Sequence, residues 1–525
     1  MKFIEYLEIK KTDIHLVPGN HTLALVENLS DLLKQRTTIW RTEQGAGYGA
    51  FANSILSLSV PTVFVTAGPG ITNIVTAVAQ AYNEKLPMIV IGVNNWLNTL
   101  DKRIGTIHEL GRTNYLFEPI SLQTISVSSA EQFCLIIDEC YSKAKLIGKP
   151  IYIDIPSDVL DQIVNFDYEY TNSNYSICFA GEDVLEKCAD ALLKAKHPVL
   201  LCGIGAVQVN CINVIESISN SLEIPIVSTL NAVSFFDSKN HIGTLWDRIF
   251  SRSEFGKQSD YILAIGCDMG ALDTANGALH INDGLIISTE KVLLPHYNNI
   301  SVICDLSNFL LRLYEKTKNH DKRNNSWVNI LKDERKKQLN KFQEQMNCST
   351  LIWNIQHSYP KETFFCVDVC LEGFAFIHFW DQFHGAKMFA SHTYVNLGSS
   401  LPVAVGASRL RRKTVCIIGD GGLAYCGFEL LTALKYNCAN IGLIVFNNGE
   451  FGTIAESAKI DKKIYELESP NYAMFAQSIG FKYYSSVGAD IKEVIEVAEN
   501  NGGGYLLEVV RDEKTPLFNL RDWRY

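Results

Sequence analysis

The sequence lacks a long hydrophobic segment, an excess of positive charge and a secretion signal. No apolar run reaches the roughly 18 residues of a membrane-spanning helix, so no membrane association is expected. The formal charge of −10 over 525 residues leaves no basic footprint for nucleic acid. Acidic residues interrupt the N-terminal stretch MKFIEYLEIKKTD where a signal peptide would be continuously apolar, so we expect a cytoplasmic protein.

Paired cysteine motifs are also missing, although the sequence contains 14 cysteines. No C-x-x-C occurs, and the closest pair, Cys366 and Cys370, fits no common metal-binding spacing. Several cysteines, such as Cys202 and Cys416, lie inside apolar runs. Buried free thiols in a reducing compartment are therefore favoured over disulfides or a zinc site.

The chain is too long for one hydrophobic core, and its apolar runs fall into three blocks. In each block, short β-branched runs alternate with glycine-containing turns and amphipathic stretches. Runs such as TVFVTA and PMIVIGV are continuous rather than alternating, as in strands buried on both faces of a parallel sheet. The pattern predicts three α/β domains with doubly wound parallel sheets, at residues 1–164, 182–320 and 345–525.

Two polar motifs follow predicted strands in the third block. GDGG begins at Gly419, directly after the run TVCII, and Asn447-Asn448 follows the run NIGLIVF. Open α/β sheets bind ligands at the carboxyl ends of their strands, so we expect a glycine turn at Asp420 to lie beside Asn448. A carboxylate, an amide oxygen and a main-chain carbonyl suit Mg²⁺, and glycine amides can face phosphate oxygens. Each motif alone is a common turn, but the pair indicates a metal–diphosphate site.

GDG followed by NN, with residues 422–446 between them, resembles the thiamine-diphosphate (ThDP) motif of one enzyme superfamily. That superfamily contains acetolactate synthase, pyruvate decarboxylase and benzoylformate decarboxylase. The resemblance implies that Asp420 and Asn448 bind Mg²⁺ together with the carbonyl of Glu450. It also implies that further residues of the same loops contact the cofactor, namely Gly419, Gly421, Gly422, Phe451 and Gly452.

The first block resembles the part of the family that binds the pyrimidine ring of ThDP. WRTEQGAGYGAFANSIL matches the family's E-x-G-A-x-x-x-A form and names Glu43 as the catalytic glutamate. In the family, that glutamate hydrogen-bonds the aminopyrimidine and promotes proton removal from the thiazolium carbon C2, a task suited to a desolvated carboxylate. TAGPGITN (66–73) resembles the turn beside the same ring.

Two segments of the third block resemble the remaining cofactor contacts. YVNLGSSLPVAVGAS resembles the family stretch in which a bulky residue, here Leu397, wedges the cofactor into a bent shape. The carbonyl of Val395 would accept a hydrogen bond from the 4′-amino group. FFCVDVCLEG occupies the place of the diphosphate loop, where Cys370 departs from the family's small or polar residues. Because the two cofactor ends come from different subunits in this fold, the resemblance implies a homodimer or homotetramer with active sites at the subunit interface.

The resemblance implies that a 2-oxo acid, with pyruvate as the expected donor, loses carbon dioxide and leaves an enamine on the cofactor. Protonation then yields an aldehyde, whereas attack on a second carbonyl acceptor yields a 2-hydroxy ketone. Pyruvate decarboxylase-like enzymes carry a His-His pair and a glutamate where this chain has a single His108 and Ile454. An acetolactate synthase-like decarboxylating carboligase is therefore predicted.

Substrate contacts are predicted on two loops of the first block and at Ile454 in the third block. His108, in IHELGRTNYLFEPI, stands where acetolactate synthase has a glutamine, and would donate to the substrate carboxylate or an intermediate. Asn20 and His21, in PGNHTLALVENL, belong to a loop that faces substrate in relatives. Polar Asn20 differs from the glycine of acetolactate synthase, which suggests an unusual donor or acceptor.

Other functions stay open at this point. The alternatives are a 2-oxo acid decarboxylase that releases an aldehyde, and a lyase acting on 2-hydroxyacyl thioesters or a cyclic dione. FAD is not expected, because GCDMGALDTANGAL lacks the D-D-R-like pattern of the biosynthetic acetolactate synthases. A Rossmann-type oxidoreductase is disfavoured because CGIGAVQV lacks the third glycine of G-x-G-x-x-G, and intact Glu43 argues against a catalytically silent subunit.

Overall fold

The computed structural model describes residues 7–510 apart from 9, 161, 163–174, 248, 280, 293–299, 321–325, 346–347, 381–384 and 456–460. Three six-stranded sheets follow one another along these residues. All strand pairs are parallel, and helices connect the strands, so the predicted fold class is confirmed. The domain boundaries stay a prediction. No helix in this part of the chain is both long and apolar enough to cross a membrane.

The N-terminal domain has the strand order β2-β1-β3-β4-β6-β5. Its strands are β1 (Ile14–Leu16), β2 (Thr37–Ile39), β3 (Thr62–Thr66), β4 (Ile89–Asn94), β5 (Gln123–Ser126) and β6 (Ile151–Pro156). Its helices are α1 (Leu23–Glu27), α2 (Asp31–Arg36), α3 (Glu43–Ala52), α4 (Pro69–Asn73), α5 (Val75–Glu84), α6 (Asn114–Phe117), α7 (Ala130–Ile147) and α8 (Ser157–Leu160). Strands β3, β4 and β6 are buried along their whole length, as their continuous apolar runs predict.

The central domain has the strand order β12-β11-β10-β7-β8-β9. Its strands are β7 (Pro198–Cys202), β8 (Ile226–Ser228), β9 (His241–Thr244), β10 (Tyr261–Ile265), β11 (Gly284–Ser288) and β12 (Ile300–Ile303). Its helices are α9 (Glu182–Lys194), α10 (Ile204–Gln208), α11 (Ile212–Leu222), α12 (Ile249–Arg252), α13 (Glu254–Gln258) and α14 (Leu306–Thr317). A long helix, α15 (Ser326–Gln345), then leads to the last domain.

The C-terminal domain has the strand order β14-β13-β15-β16-β18-β17. Its strands are β13 (Phe364–Val367), β14 (Lys387–Ala390), β15 (Thr414–Gly419), β16 (Ile441–Asn447), β17 (Lys482–Ser485) and β18 (Tyr505–Val510). Its helices are α16 (Cys348–His357), α17 (Leu371–His378), α18 (Ser400–Arg409), α19 (Asp420–Cys426), α20 (Leu430–Lys435), α21 (Gly452–Ala455), α22 (Tyr472–Ser478) and α23 (Ile491–Asn501).

The glycine motif after β15 differs from the expected turn. Strand β15 ends at Gly419, and helix α19 begins at the next residue, Asp420. The run FELLTALKY that follows is helical only in part, because a 3-10 turn at Gly427–Glu429 precedes α20. The direct strand-to-helix transition aims the first amides of α19 out of the end of the sheet, which is the geometry of an anion-binding helix start.

A hydrophobic core shared by the N-terminal and C-terminal domains joins them through α3 and α18. The two helices approach so closely that a Cβ on Gly406 would lie 2.2 Å from the carbonyl oxygen of Gly49. Phe51 of α3 packs edge-on against Phe389 of β14, with ring centroids 6.2 Å apart. The cysteines that the structure describes are free, and most of them are buried in these cores.

Candidate active site

The two polar motifs of the C-terminal domain lie side by side. Strands β15 and β16 are paired in parallel, with Gly419 opposite Phe446, so Asp420 and Asn447 leave neighbouring strand ends. The Asp420 carboxylate accepts hydrogen bonds from the backbone N–H of Gly421 at 2.9 Å and of Gly449 at 2.7 Å. These contacts tie the start of α19 to the loop after β16.

Burial raises the pKa of Asp420, and the backbone N–H groups around the carboxylate partly oppose that rise. Only 4% of this residue is exposed. The Asn448 side-chain oxygen accepts from the backbone N–H of Glu450 at 3.3 Å, which fixes the amide beside the carboxylate. A buried carboxylate next to an oriented amide oxygen is a favourable environment for a divalent cation, because the cation offsets the cost of burying the charge.

A recess with about 370 Å³ of empty volume lies at this edge of the sheet. Every C-terminal residue predicted to contact the cofactor or metal lines it, with the exception of Val395. Val395 is 46% exposed on the loop before α18, while Leu397 on the same loop faces the recess. Cys370 lines the recess as the N-terminal cap of α17, where its sulfur accepts from the N–H of Gly373 at 3.2 Å.

The glycines of this recess leave no room for side chains. A Cβ on Gly422 would lie 2.2 Å from the Asp368 carboxylate, and one on Gly452 would lie 2.8 Å from the Asn448 amide. The backbone is therefore bare where a diphosphate would approach it. Among the described residues, no cluster of three or more His, Cys, Asp or Glu side chains is able to hold a metal ion alone. The recess thus fits a metal that completes its shell with main-chain and phosphate oxygens.

Glu43 is the first residue of α3, and the Thr42 side chain caps that helix by accepting from the N–H of Gly45 at 2.9 Å. The Glu43 carboxylate is 9% exposed and accepts from the Asn73 side-chain amide at 3.1 Å. A Cβ on Gly70 would lie 3.3 Å from the same carboxylate. Glu43 therefore lies against the TAGPGITN turn. Its place at the N-terminus of α3 is favourable for an acidic side chain.

Asn20 and His21 form a 3-10 turn after β1, and this turn meets the loop that carries His108. The His21 ring is 5.8 Å from the His108 ring, and its Nε2 lies 2.8 Å from the Asn95 side-chain oxygen. His108 has a left-handed backbone with φ of 59°, which is uncommon outside glycine. Its Nδ1 is buried with no hydrogen-bond partner among the described residues. Buried polar atoms without a partner are uncommon, and a bound ligand would satisfy this one.

Sequence reasoning did not identify the residues that support His21 and its partner Asn95. Asp154, at the end of β6, accepts from the Thr113 hydroxyl at 2.9 Å and from the Asn94 amide at 3.2 Å. Burial raises the pKa of Asp154 to about 6. Asn94 ends strand β4, and its side-chain oxygen accepts from the backbone N–H of Asn95, the partner of His21, at 2.8 Å. Their position at the end of a strand is the signal in the sequence that points to them. Ile454, predicted near the substrate, lies in α21 and is 47% exposed.

Three family models match the chain in order. The thiamine pyrophosphate enzyme N-terminal TPP binding domain matches residues 3–110, the central domain matches 185–313, and the C-terminal TPP binding domain matches 370–509. The chain belongs to the thiamine-diphosphate-dependent enzyme superfamily. The family prediction and the cofactor ThDP are thereby confirmed, whereas Mg²⁺, which is typical of the family, stays a prediction for this chain.

Curated relatives of this ThDP enzyme are similar over most of their length. A probable 2-ketoarginine decarboxylase, AruI, of Pseudomonas aeruginosa is 24% identical over 495 residues, which are 88% of this chain and 85% of the relative. The acetolactate synthase large subunit of Buchnera aphidicola is 23% identical over 510 residues, 92% of this chain and 87% of the relative. That of Haemophilus influenzae is 24% identical over 501 residues, with 88% and 85% covered. This chain is therefore an enzyme of the general 2-oxo acid decarboxylase and carboligase kind.

Proposed function

We propose that this ThDP enzyme is an acetolactate synthase-like carboligase. It would decarboxylate a 2-oxo acid, with pyruvate as the first candidate, and join the remaining carbon unit to a second carbonyl acceptor. Bound ThDP supplies a carbon nucleophile and an electron sink for this chemistry. The observation that carries the proposal is the pairing of Asp420 with the Asn448 loop at neighbouring strand ends, beside bare glycine backbone.

In this proposal, Asp420, Asn448 and the Glu450 carbonyl would hold Mg²⁺, and Gly421 and Gly422 would face the diphosphate. Glu43 would hydrogen-bond the pyrimidine ring and hold the proton that moves when the cofactor is activated. Its location in a buried site beside the Asn73 amide supports that role, because few waters compete for the carboxylate.

The proposal includes a homodimer or homotetramer in which Glu43 of one subunit serves the metal site of its neighbour. Large apolar side chains exposed around both halves of the site support a covered surface. On the loop between β4 and β5, Trp96, Ile104 and Ile107 are each more than half exposed. Beside the recess, Tyr425 and Phe428 are exposed to a similar extent.

A second candidate function is a decarboxylase that releases an aldehyde. The close approach of His21 to His108 favours it, because two loops together form a histidine pair. In the sequence, a single His108 and Ile454 stand where pyruvate decarboxylase-like enzymes carry a His-His pair and a glutamate, and His21 now supplies a second histidine. Two imidazoles offer both a group that binds a carboxylate and a group that delivers a proton.

Product analysis separates the two functions. Purified protein is incubated with ThDP, Mg²⁺ and a series of 2-oxo acids, with and without aldehyde acceptors, and carbon dioxide, aldehyde and hydroxyketone are measured. We expect hydroxyketone to be the main product, whereas aldehyde alone would favour the second candidate. Carbon dioxide release from none of the 2-oxo acids would contradict both, and the Glu43→Gln variant serves as the inactive control.

A further inference from the structure

Glu84, the last residue of α5, carries a carboxylate that is 0% exposed and contacts a loop of another domain. Its Oε1 accepts from the backbone N–H groups of His392 at 2.9 Å, Thr393 at 2.9 Å and Tyr394 at 3.3 Å. Three consecutive amides around one oxygen form a backbone nest, a concavity that binds anions. Glu84 thus holds the C-terminal domain's loop through its main chain.

The other oxygen of Glu84 joins two further groups. Its Oε2 lies 2.8 Å from Nδ1 of His392 and accepts from the side-chain amide of Asn231, in the central domain, at 2.8 Å. Burial disfavours a charged His392, but Glu84 outweighs that effect and raises the pKa of His392 to about 9. The pair is therefore an ion pair at neutral pH, and three domains meet at one carboxylate.

A second buried carboxylate holds the far end of the same loop. Asp368, after β13, accepts from the backbone N–H of Gly398 at 2.9 Å and from that of Ser400 at 3.5 Å. Residues 395–397 lie between the two anchors, and they include Val395 and Leu397, which are predicted to contact the aminopyrimidine and to bend the cofactor. Asp368 acts within its own domain, whereas Glu84 acts across a domain boundary.

We propose that Glu84 is a positioning residue that sets residues 395–397 for the pyrimidine end of ThDP, so that cofactor affinity depends on the docking of the N-terminal and central domains. The inference rests on the proposed roles of Val395 and Leu397. Its physical basis is that loss of the negative charge weakens the hydrogen bonds from three buried amides and leaves a buried imidazolium without its counter-charge. The end of the loop at residues 392–394 then loses the contacts that hold it in position.

The test measures ThDP binding by titration calorimetry in the presence of Mg²⁺ for the wild type and the Glu84→Gln variant. We expect a dissociation constant about 10–100-fold higher in the variant, in the range that supporting residues of ligand sites show. Affinity for inorganic pyrophosphate with Mg²⁺, measured by competition against ThDP, stays unchanged because Asp420 and the glycine backbone are untouched. Equal losses for ThDP and pyrophosphate would overturn the inference.

Glu290→Gln is the matched control. Glu290 is another carboxylate at a domain boundary, and its ion pairs with Lys85 at 3.1 Å and Lys149 at 2.6 Å join the central domain to the N-terminal domain rather than to the 391–394 loop. It should lower the unfolding temperature yet leave ThDP affinity unchanged. If Glu84→Gln does not fold, His392→Gln takes its place against the same control, with a smaller loss expected because the amide contacts remain. ThDP affinity equal to that of Glu290→Gln would overturn the inference, whereas absence of ThDP binding in the wild type would contradict the proposed function itself.

Discussion

The two halves of the site use different parts of the chain. In the C-terminal half, backbone amides, bare glycines and the buried carboxylate of Asp420 form the recess that is proposed to hold phosphate and metal. In the N-terminal half, Glu43 stands at the start of α3, and His21 and His108 lie on two loops that bring their rings within 5.8 Å. The first half is suited to holding a constant group, and the second to handling a variable substrate and its protons. Substitutions in the N-terminal half should therefore reduce turnover, and substitutions in the C-terminal half should reduce ThDP binding.

The largest effect is expected for Glu43→Gln. Loss of the carboxylate removes the proton-handling group, so turnover should fall by at least about 10²–10⁴-fold. ThDP affinity by calorimetry should change little, because the recess is untouched. Glu27→Gln, at an exposed position of the same domain, is the control with unchanged activity. Full activity in Glu43→Gln would remove this residue from the mechanism.

A smaller loss is expected for His108→Gln. The proposed function gives the orphaned Nδ1 a contact with substrate, and a hydrogen bond to a charged group contributes about 1.5–3 kcal/mol. Steady-state kinetics should show a lower kcat/KM for the 2-oxo acid, while ThDP affinity stays constant. His21→Gln offers the comparison, because its ring is already hydrogen-bonded to Asn95. Weaker ThDP binding without a substrate effect in His108→Gln would place this residue in the cofactor half instead.

Gly422→Ala should affect the cofactor half of the site, so stability and ThDP affinity should fall. The added methyl would meet the Asp368 carboxylate, and overpacking of this kind costs about 1–3 kcal/mol. Thermal unfolding should show a lower melting temperature, and calorimetry should show weaker ThDP binding. Gly270→Ala is the matched control, because a Cβ there meets nothing within 4 Å. Equal melting temperatures and affinities for the two variants would show that the recess tolerates side chains.

The smallest effect is expected for Asp154→Asn, and it concerns how the free energy of unfolding depends on pH. Burial raises the pKa of Asp154 in the folded state to about 6, so the folded protein holds this proton more tightly than the unfolded chain does. This carboxyl therefore contributes stability that is present below its unfolded pKa and is lost as the pH rises to about 6. Denaturant unfolding between pH 4 and 7 should show a shallower decline in Asp154→Asn than in the wild type. An identical pH profile would mean that Asp154 is not buried as an acid.

The local structure around each residue also explains which parts of the site could be predicted from the sequence and which could not. GDGG and Asn447-Asn448 follow continuous apolar runs, so strand pairing brings them together in the folded sheet, and Glu43 follows a strand in the same way. The approach of His21 to His108 depends on two irregular loops, for which no periodicity exists. The contact of Glu84 with the 391–394 loop joins residues far apart in the sequence and depends on domain docking, which no local pattern encodes.

Calorimetric titration of the wild type and Asp420→Asn with ThDP, in the presence and absence of Mg²⁺, tests the central claim most directly. We predict that the wild type binds ThDP tightly and only in the presence of Mg²⁺. For Asp420→Asn, we predict much weaker ThDP binding that depends little on Mg²⁺. Glu493→Gln, at an exposed position of α23, should bind like the wild type. Wild-type protein that takes up no ThDP with Mg²⁺ present, or Asp420→Asn protein that binds it equally well, would contradict the account.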